Sequence, residues 1–79
     1  MTTDKMIILA RKHRDEGSSD SARACLSDAI EQNDAGNDKA ARMWALKSLA
    51  HSVGTNNAEY KKSCSYFWWF LRRTAQNLS

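Results

Sequence analysis

Apolar residues recur along the chain three and four residues apart, which is the period of an α-helix with one buried face. The three glycines each follow such an apolar segment, where a residue in the left-handed conformation commonly ends a helix: Gly17, Gly36 and Gly54. The pattern predicts no strand and four helices, with bounds near residues 4–16, 19–34, 38–52 and 57–76.

Polar residues that can accept a backbone hydrogen bond precede each predicted helix. The expected N-caps are, in chain order, Thr3, Ser18 or Ser19, Asn37 or Asp38, and Asn56. Asn56 is followed three residues later by Glu59, a spacing that resembles a capping box. These residues support the predicted helix starts.

The third predicted helix differs from the first two, which have a single apolar stripe each. Their expected inward residues are Met6, Leu9, Ala10 and His13 in the first helix and Ala22, Cys25, Leu26, Ala29, Ile30 and Asn33 in the second. In the third helix, apolar or small residues cover more than one face: Ala40, Ala41, Met43, Trp44, Ala45, Leu46, Leu49 and Ala50. We therefore expect the third helix to be central and, because the turn before it is short, to form an antiparallel hairpin with the second.

This predicted hairpin resembles a single tetratricopeptide-type repeat over about residues 19–52. The matching residues are Gly36 in the turn, Ala41 five residues later, and Trp44, Ala45 and Ser48 along the third helix. The resemblance implies two antiparallel helices packed through small residues, as in the repeats that this family stacks into peptide-binding arrays. No second copy of the repeat occurs in the chain, so the resemblance concerns the geometry of the hairpin.

Length and composition limit the chain to one small domain. A chain of 79 residues has room for one core, because chains near this size bury only about 60–65% of the surface that they expose when unfolded. Hydrophobic residues make up 42% of the sequence and charged residues 27%, and proline is absent, which favours a globular helical fold. We predict an all-α domain over residues 1–79, a small bundle of four helices.

Charge divides the sequence into an acidic and a basic half. Residues 1–38 contain five basic and eight acidic residues, whereas residues 39–79 contain seven basic residues and one acidic residue. The basic half suits an acidic partner, whether nucleic acid, an anionic membrane surface or an acidic protein, and it is also typical of a solvated surface.

No group of residues predicts catalysis, a cofactor or a metal site. His13 and His51 fall in different predicted helices, without a nucleophile at a recognisable spacing. Cys25 and Cys64 occur singly on apolar stripes, whereas structural zinc ligands usually come in close pairs. We therefore expect a cytoplasmic protein that is not an enzyme and that keeps both thiols reduced.

Five of the seven aromatic residues are consecutive, from Tyr66 to Phe70. Successive residues of a helix are about 100° apart, so five neighbours cannot share one face. The stripe expected to face the core consists of Tyr60, Cys64, Phe67, Leu71 and Ala75, with Trp68 at its edge. Tyr66, Trp69 and Phe70 are left on a second face, which has Lys62 and Arg73 at its rim.

Two interpretations of this second face stay open. In the first, another helix covers it and all five rings lie in the core. In the second, it is a surface that a partner protein covers, because Trp, Tyr and Arg dominate interface hot spots. The second predicts an interaction module, such as an adaptor, an inhibitor or a self-associating subunit, of a kind common among bacterial and phage regulators. Its expected partner-binding residues are Lys62, Tyr66, Trp69, Phe70 and Arg73.

Nucleic-acid binding is the alternative function. Basic residues of the third and fourth helices would contact phosphates while an exposed ring stacks on a base: Lys39, Arg42, Lys47, Lys61 and Arg72. Membrane contact is less favoured, because the fourth helix lacks a cleanly segregated amphipathic face. Its uncharged run, Ser63–Leu71, is nine residues long, and a spanning helix needs about 20.

Overall fold

Four α-helices account for most of the chain. The computed structural model describes residues 2–78, with side chains through residue 74. In that part there is no strand, and the helices are α1 (Thr3–Asp15), α2 (Asp20–Asp34), α3 (Asp38–Val53) and α4 (Ala58–Leu78). The predicted all-α bundle is confirmed, and each predicted boundary lies within two residues of the observed one.

Helices α2 and α3 form the most extensive helix pair. The Ser48 hydroxyl donates a hydrogen bond of 2.8 Å to the carbonyl oxygen of Ala22. This bond joins the end of α3 to the start of α2, as expected of an antiparallel hairpin with a short turn. Small residues on both helices are fully buried, among them Ala29 and Ala45, which allows the two helix axes to approach closely.

Helix α3 is central, as predicted, because it contacts α1, α2 and α4. Its buried residues are Ala41, Arg42, Ala45, Leu46, Ser48 and Leu49. Met43, which the sequence grouped with the apolar residues of this helix, is exposed. One face of the central helix therefore remains in solvent.

Helix α1 packs on α2 and α3 together. Met6, Ile7 and Ala10 are buried in the core and the His13 side chain is only 10% exposed, whereas Leu9 of the predicted stripe is half-buried. The buried face is therefore rotated toward Ile7. At the start of the helix, Asp4 accepts a hydrogen bond of 3.0 Å from Asn33 of α2.

Helix α4 packs chiefly against α3. Tyr60, Cys64 and Phe67 of the predicted stripe contact the core, and Leu71 is half-buried. Ser63, which the stripe did not include, is fully buried. Ala75 lies outside the residues whose side chains are described. Because α3 covers only one side of α4, the opposite side is open.

The N-caps of α1 and α4 each lie one residue from the predicted position. Thr2, not Thr3, caps α1 by accepting a bond of 3.3 Å from the Lys5 amide. Thr3 instead faces the interior, because it lies three and four residues before Met6 and Ile7 on the same helix face.

Asn57, not Asn56, caps α4. Its side-chain oxygen accepts hydrogen bonds from the amides of Glu59, at 2.8 Å, and Tyr60, at 3.3 Å. The other caps lie where the sequence predicts them, at Ser19 for α2 and at Asn37 for α3, although Asn37 makes no side-chain capping bond.

Gly54 sets the direction in which α4 leaves α3. Its backbone has φ +85° and ψ 160°, a combination that glycine alone adopts readily. A residue with a Cβ would strain this link. The conformation of Gly54 therefore helps to hold α4 alongside α3.

None of the helices, over the described part of the chain, has both the length and the hydrophobicity needed to span a membrane.

Candidate partner-binding surface

The aromatic run of α4 is divided between the core and the surface. Trp68 is 63% exposed and Trp69 is 54% exposed, whereas Tyr66, Phe67 and Phe70 are half-buried. The interpretation that places all five rings in the core is therefore wrong. Its premise was that another helix covers the second face, but α1 lies on α2 and α3 and makes little contact with α4.

Phe70 belongs to the contact between α3 and α4, not to the exposed face on which the sequence placed it. The guanidinium carbon of Arg42 lies 4.1 Å from the centroid of the Phe70 ring. Phe70 follows Phe67 by three residues, so the two rings are neighbours on the face that packs against α3. Phe70 is therefore removed from the five predicted partner-binding residues.

Arg42 is likewise not part of an exposed basic surface, because its side chain is buried, with 9% of the residue exposed. Its Nε donates a bond of 3.0 Å to the Thr3 hydroxyl, and its Nη1 lies 3.9 Å from the Met6 sulfur. Burial lowers the pKa of Arg42, and the negative charge of Asp38 opposes this effect. Arg42 thus joins α1, α3 and α4 and is not available to bind phosphates.

Four predicted partner-binding residues remain together on the open side of α4. Lys62, Tyr66, Trp69 and Arg73 follow one another at intervals of four, three and four residues, so they share one helix face. We call these four residues the α4 outer stripe. The guanidinium carbon of Arg73 lies 5.2 Å from the centroid of the Trp69 ring, within the distance of a cation–π contact.

A hollow of about 400 Å³ adjoins this stripe, lined by Ser65, Tyr66, Trp69 and Arg72. Its size falls at the lower end of the range for ligand pockets, about 300–1,000 Å³. Both of its aromatic side chains belong to the α4 outer stripe. The hollow is shallow, because all four of its lining residues belong to α4.

The other predicted nucleic-acid-binding residues are exposed but distributed over two helices. Lys61 and Arg72 are exposed on α4, and Lys39 and Lys47 are exposed on α3. The Lys47 ammonium lies 4.6 Å from the centroid of the Trp44 ring. With Arg42 buried, four of the five predicted basic residues remain exposed, two on each helix.

A second hollow, which the sequence did not predict, lies between α1 and α4. It has a volume of about 300 Å³ and is lined by Lys5, Ile8, Leu9, Lys12, Glu59 and Lys62. Ile8 is 63% exposed. We call this hollow the α1–α4 groove. The signal in the sequence was Ile8 itself, a large apolar residue outside the predicted inward stripe of the first helix.

His13 lies beside this groove and connects its two helices. Its Nδ1 is 3.3 Å from a carboxylate oxygen of Glu16, and its Nε2 is 3.4 Å from a carboxylate oxygen of Glu59. The second contact joins the end of α1 to the start of α4. His13 therefore has a structural role at the end of the groove.

Among the described residues, no three His, Cys, Asp or Glu side chains are grouped as metal ligands. Cys25 and Cys64 are free thiols and half-buried. A hydrogen bond with the Cys64 thiol raises the pKa of Tyr60, and burial contributes in the same direction. Tyr60 and Cys64 both pack against the hydrophobic core.

Comparison with protein-family models, with curated proteins and with solved structures finds no match to this chain.

Proposed function

We propose that the protein is a non-enzymatic interaction module that binds another protein through the α4 outer stripe. The observation that carries this proposal is the exposure of Trp69, at 54%, on a helix whose opposite face packs against the core. Tryptophan and arginine are the residues that most often dominate binding energy at protein interfaces. Trp69 and Arg73 are in contact before any partner is bound.

The position of α4 in the fold supports this role. The side formed by Tyr60, Ser63, Cys64, Phe67 and Phe70 packs against the rest of the bundle. The outer stripe is free to bind without unfolding or rearranging the bundle. An adaptor, an inhibitor and a self-associating subunit would each use such a surface.

The proposal is tested by comparing Trp69→Ala with Trp68→Ala. The two residues are adjacent and both exposed, but only Trp69 belongs to the outer stripe. Light scattering measures self-association, and affinity capture followed by a binding titration measures association with another protein. We expect Trp69→Ala to weaken the measured association about thirtyfold, the effect of losing one hot-spot side chain.

Trp68→Ala is expected to leave that association within about threefold of the wild-type value, because it lies on another face. If a folded Trp69→Ala variant binds as tightly as the wild type, the proposed surface is incorrect. Circular dichroism of each variant establishes that the fold is retained.

Nucleic-acid binding is a second candidate, favoured by the exposure of Trp68. Lys61 lies seven residues before Trp68 and Arg72 lies four residues after it, so the three residues share a side of α4. This arrangement fits a base stacked on an aromatic ring between two phosphate contacts.

Fluorescence anisotropy with a labelled single-stranded oligonucleotide tests this alternative. We expect weak binding that falls steeply with added salt and has no sequence preference. Tight binding at physiological salt that Trp68→Ala abolishes would instead make nucleic-acid binding the function.

A further inference from the structure

The α1–α4 groove combines an apolar floor with a basic rim. We call its apolar lining residues, Ile8 and Leu9 of α1, the floor and its lysines the rim, and Ile8 is 63% exposed. Lys5, Lys12 and Lys62 line the same hollow. A single exposed apolar residue is common on protein surfaces, so the charge around Ile8 is what indicates the kind of partner.

The charge of the groove is positive. Three lysines line it, and the one carboxylate, Glu59, is already 3.4 Å from His13. Lysines therefore outnumber carboxylates three to one among the lining residues. A partner that carries acidic residues beside an apolar residue is complementary to both the rim and the floor.

The spacing of Lys5 and Lys12 indicates that the partner segment is a helix. Lys5 and Lys12 are seven residues apart on α1, which is two helical turns or about 10 Å along the axis. Two carboxylates at positions i and i+7 of a partner helix have the same separation. An apolar residue at i+3 or i+4 lies on the same face between them and would meet Ile8.

A second copy of this chain does not supply such a segment. The most acidic helix is α2, with Asp20, Asp28, Glu31 and Asp34. Its exposed residues include no large apolar side chain: Asp20, Ser21, Arg23, Ala24, Ser27, Glu31 and Asp34. The apolar floor of the groove would then remain uncovered.

We infer that the α1–α4 groove binds an acidic amphipathic helix of a partner protein, with an apolar side chain on Ile8 and two carboxylates paired with Lys5 and Lys12. This inference rests on the proposed function, because Lys62 belongs both to the groove and to the α4 outer stripe. It adds the chemistry of the partner: a leucine-like residue between two acidic residues that are two turns apart.

Two synthetic peptides of about 18 residues, long enough to form helix, test this inference. Each has leucines at i+3 and i+4 on an otherwise alanine and glutamine helix. One carries glutamate at i and i+7, and its twin carries lysine at both positions. Calorimetric titration measures their affinities for the full chain. We expect the glutamate peptide to bind about tenfold more tightly, because two ion pairs replace two like-charge contacts.

Charge reversal in the protein distinguishes the groove from a general preference for acidic peptides. In the double variant Lys5→Glu/Lys12→Glu, the lysine peptide is expected to become the tighter ligand. The milder Lys5→Gln/Lys12→Gln variant is expected to bind both peptides equally. The matched control, Arg11→Glu/Arg23→Glu, changes two exposed charges that do not line the groove and is expected to keep the wild-type preference.

Equal affinity of the two peptides for the wild type, failure of both to bind, or a preference that survives both lysine variants would overturn the inference. These outcomes are separate from failure of the proposed function, which is measured with Trp69→Ala. If Trp69→Ala abolishes partner binding but the wild type binds both peptides equally, the groove inference is wrong and the proposed function stands. If the lysine variants remove the preference for the glutamate peptide but Trp69→Ala leaves partner binding unchanged, the proposed function of the outer stripe is wrong and the groove inference stands.

Discussion

At the scale of single residues, Arg42 is the clearest difference between the sequence prediction and the structure. Its charge predicts a place on a basic surface. It also lies four and seven residues before Leu46 and Leu49, on the buried face of α3. Burial of a guanidinium depends on partners from other helices, here Thr3 and Phe70. Local sequence cannot reveal such partners, so this burial was not predictable.

We predict that Arg42→Ala destabilises the fold by about 2 kcal/mol, through loss of a buried hydrogen bond and of the contact with Phe70. Lys39→Ala, an exposed basic residue at the start of the same helix, is expected to change the free energy of unfolding by less than about 0.5 kcal/mol. Urea unfolding of both variants measures the difference. Equal values would contradict the role assigned to Arg42.

We predict that ionisation of Tyr60 lowers the stability of the folded protein at alkaline pH. The Cys64 thiol and burial raise its pKa in the folded state above the ordinary value of 10.0. The neutral phenol is therefore favoured by folding. Its stabilising effect is complete below about pH 10 and is lost as the pH rises through the higher folded-state pKa.

The measurement is the free energy of unfolding of wild type, Tyr60→Phe and Cys64→Ala between about pH 9 and pH 12. We expect the stability of Tyr60→Phe to fall less steeply than that of the wild type. Cys64→Ala is expected to reduce the slope as well, because it removes the main cause of the shift. An unchanged slope in Tyr60→Phe would refute the assignment.

At the scale of helices, the sequence determined number, order and approximate bounds. The apolar period and the three glycines are local signals, and each glycine adopts the positive φ that a helix end requires. The caps of α1 and α4 were each displaced by one residue, within the pairs Thr2–Thr3 and Asn56–Asn57. Neighbours of the same type have the same capping chemistry. Tertiary packing decides between them, as the inward position of Thr3 shows.

The cap of α4 provides a direct comparison within one such pair. We predict that Asn57→Ala destabilises the protein by about 1 kcal/mol, because the amides of Glu59 and Tyr60 lose their acceptor. Asn56→Ala is expected to have an effect below about 0.5 kcal/mol. Thermal unfolding followed by circular dichroism distinguishes the variants. A larger loss for Asn56→Ala would place the cap at the residue first expected.

At the scale of the whole molecule, the α4 outer stripe was largely predictable and the α1–α4 groove was not. Helical spacing alone groups Lys62, Tyr66, Trp69 and Arg73 on one side of α4. The groove depends on how far α1 lies from α4, which is set by the packing of α1 on α2 and α3. Periodicity within a helix contains no information on that distance.

The central claim is that the neighbouring residues Trp69 and Phe70 differ in role, one available to a partner and the other part of the fold. The most direct test is the free energy of unfolding of Trp69→Ala and of Phe70→Ala, measured by chemical denaturation. We predict a loss below about 1 kcal/mol for Trp69→Ala. For Phe70→Ala, which leaves the Arg42 side chain without its ring, we predict about 2–3 kcal/mol. A loss for Trp69→Ala as large as that for Phe70→Ala would show that α4 is packed on both sides and would contradict the account.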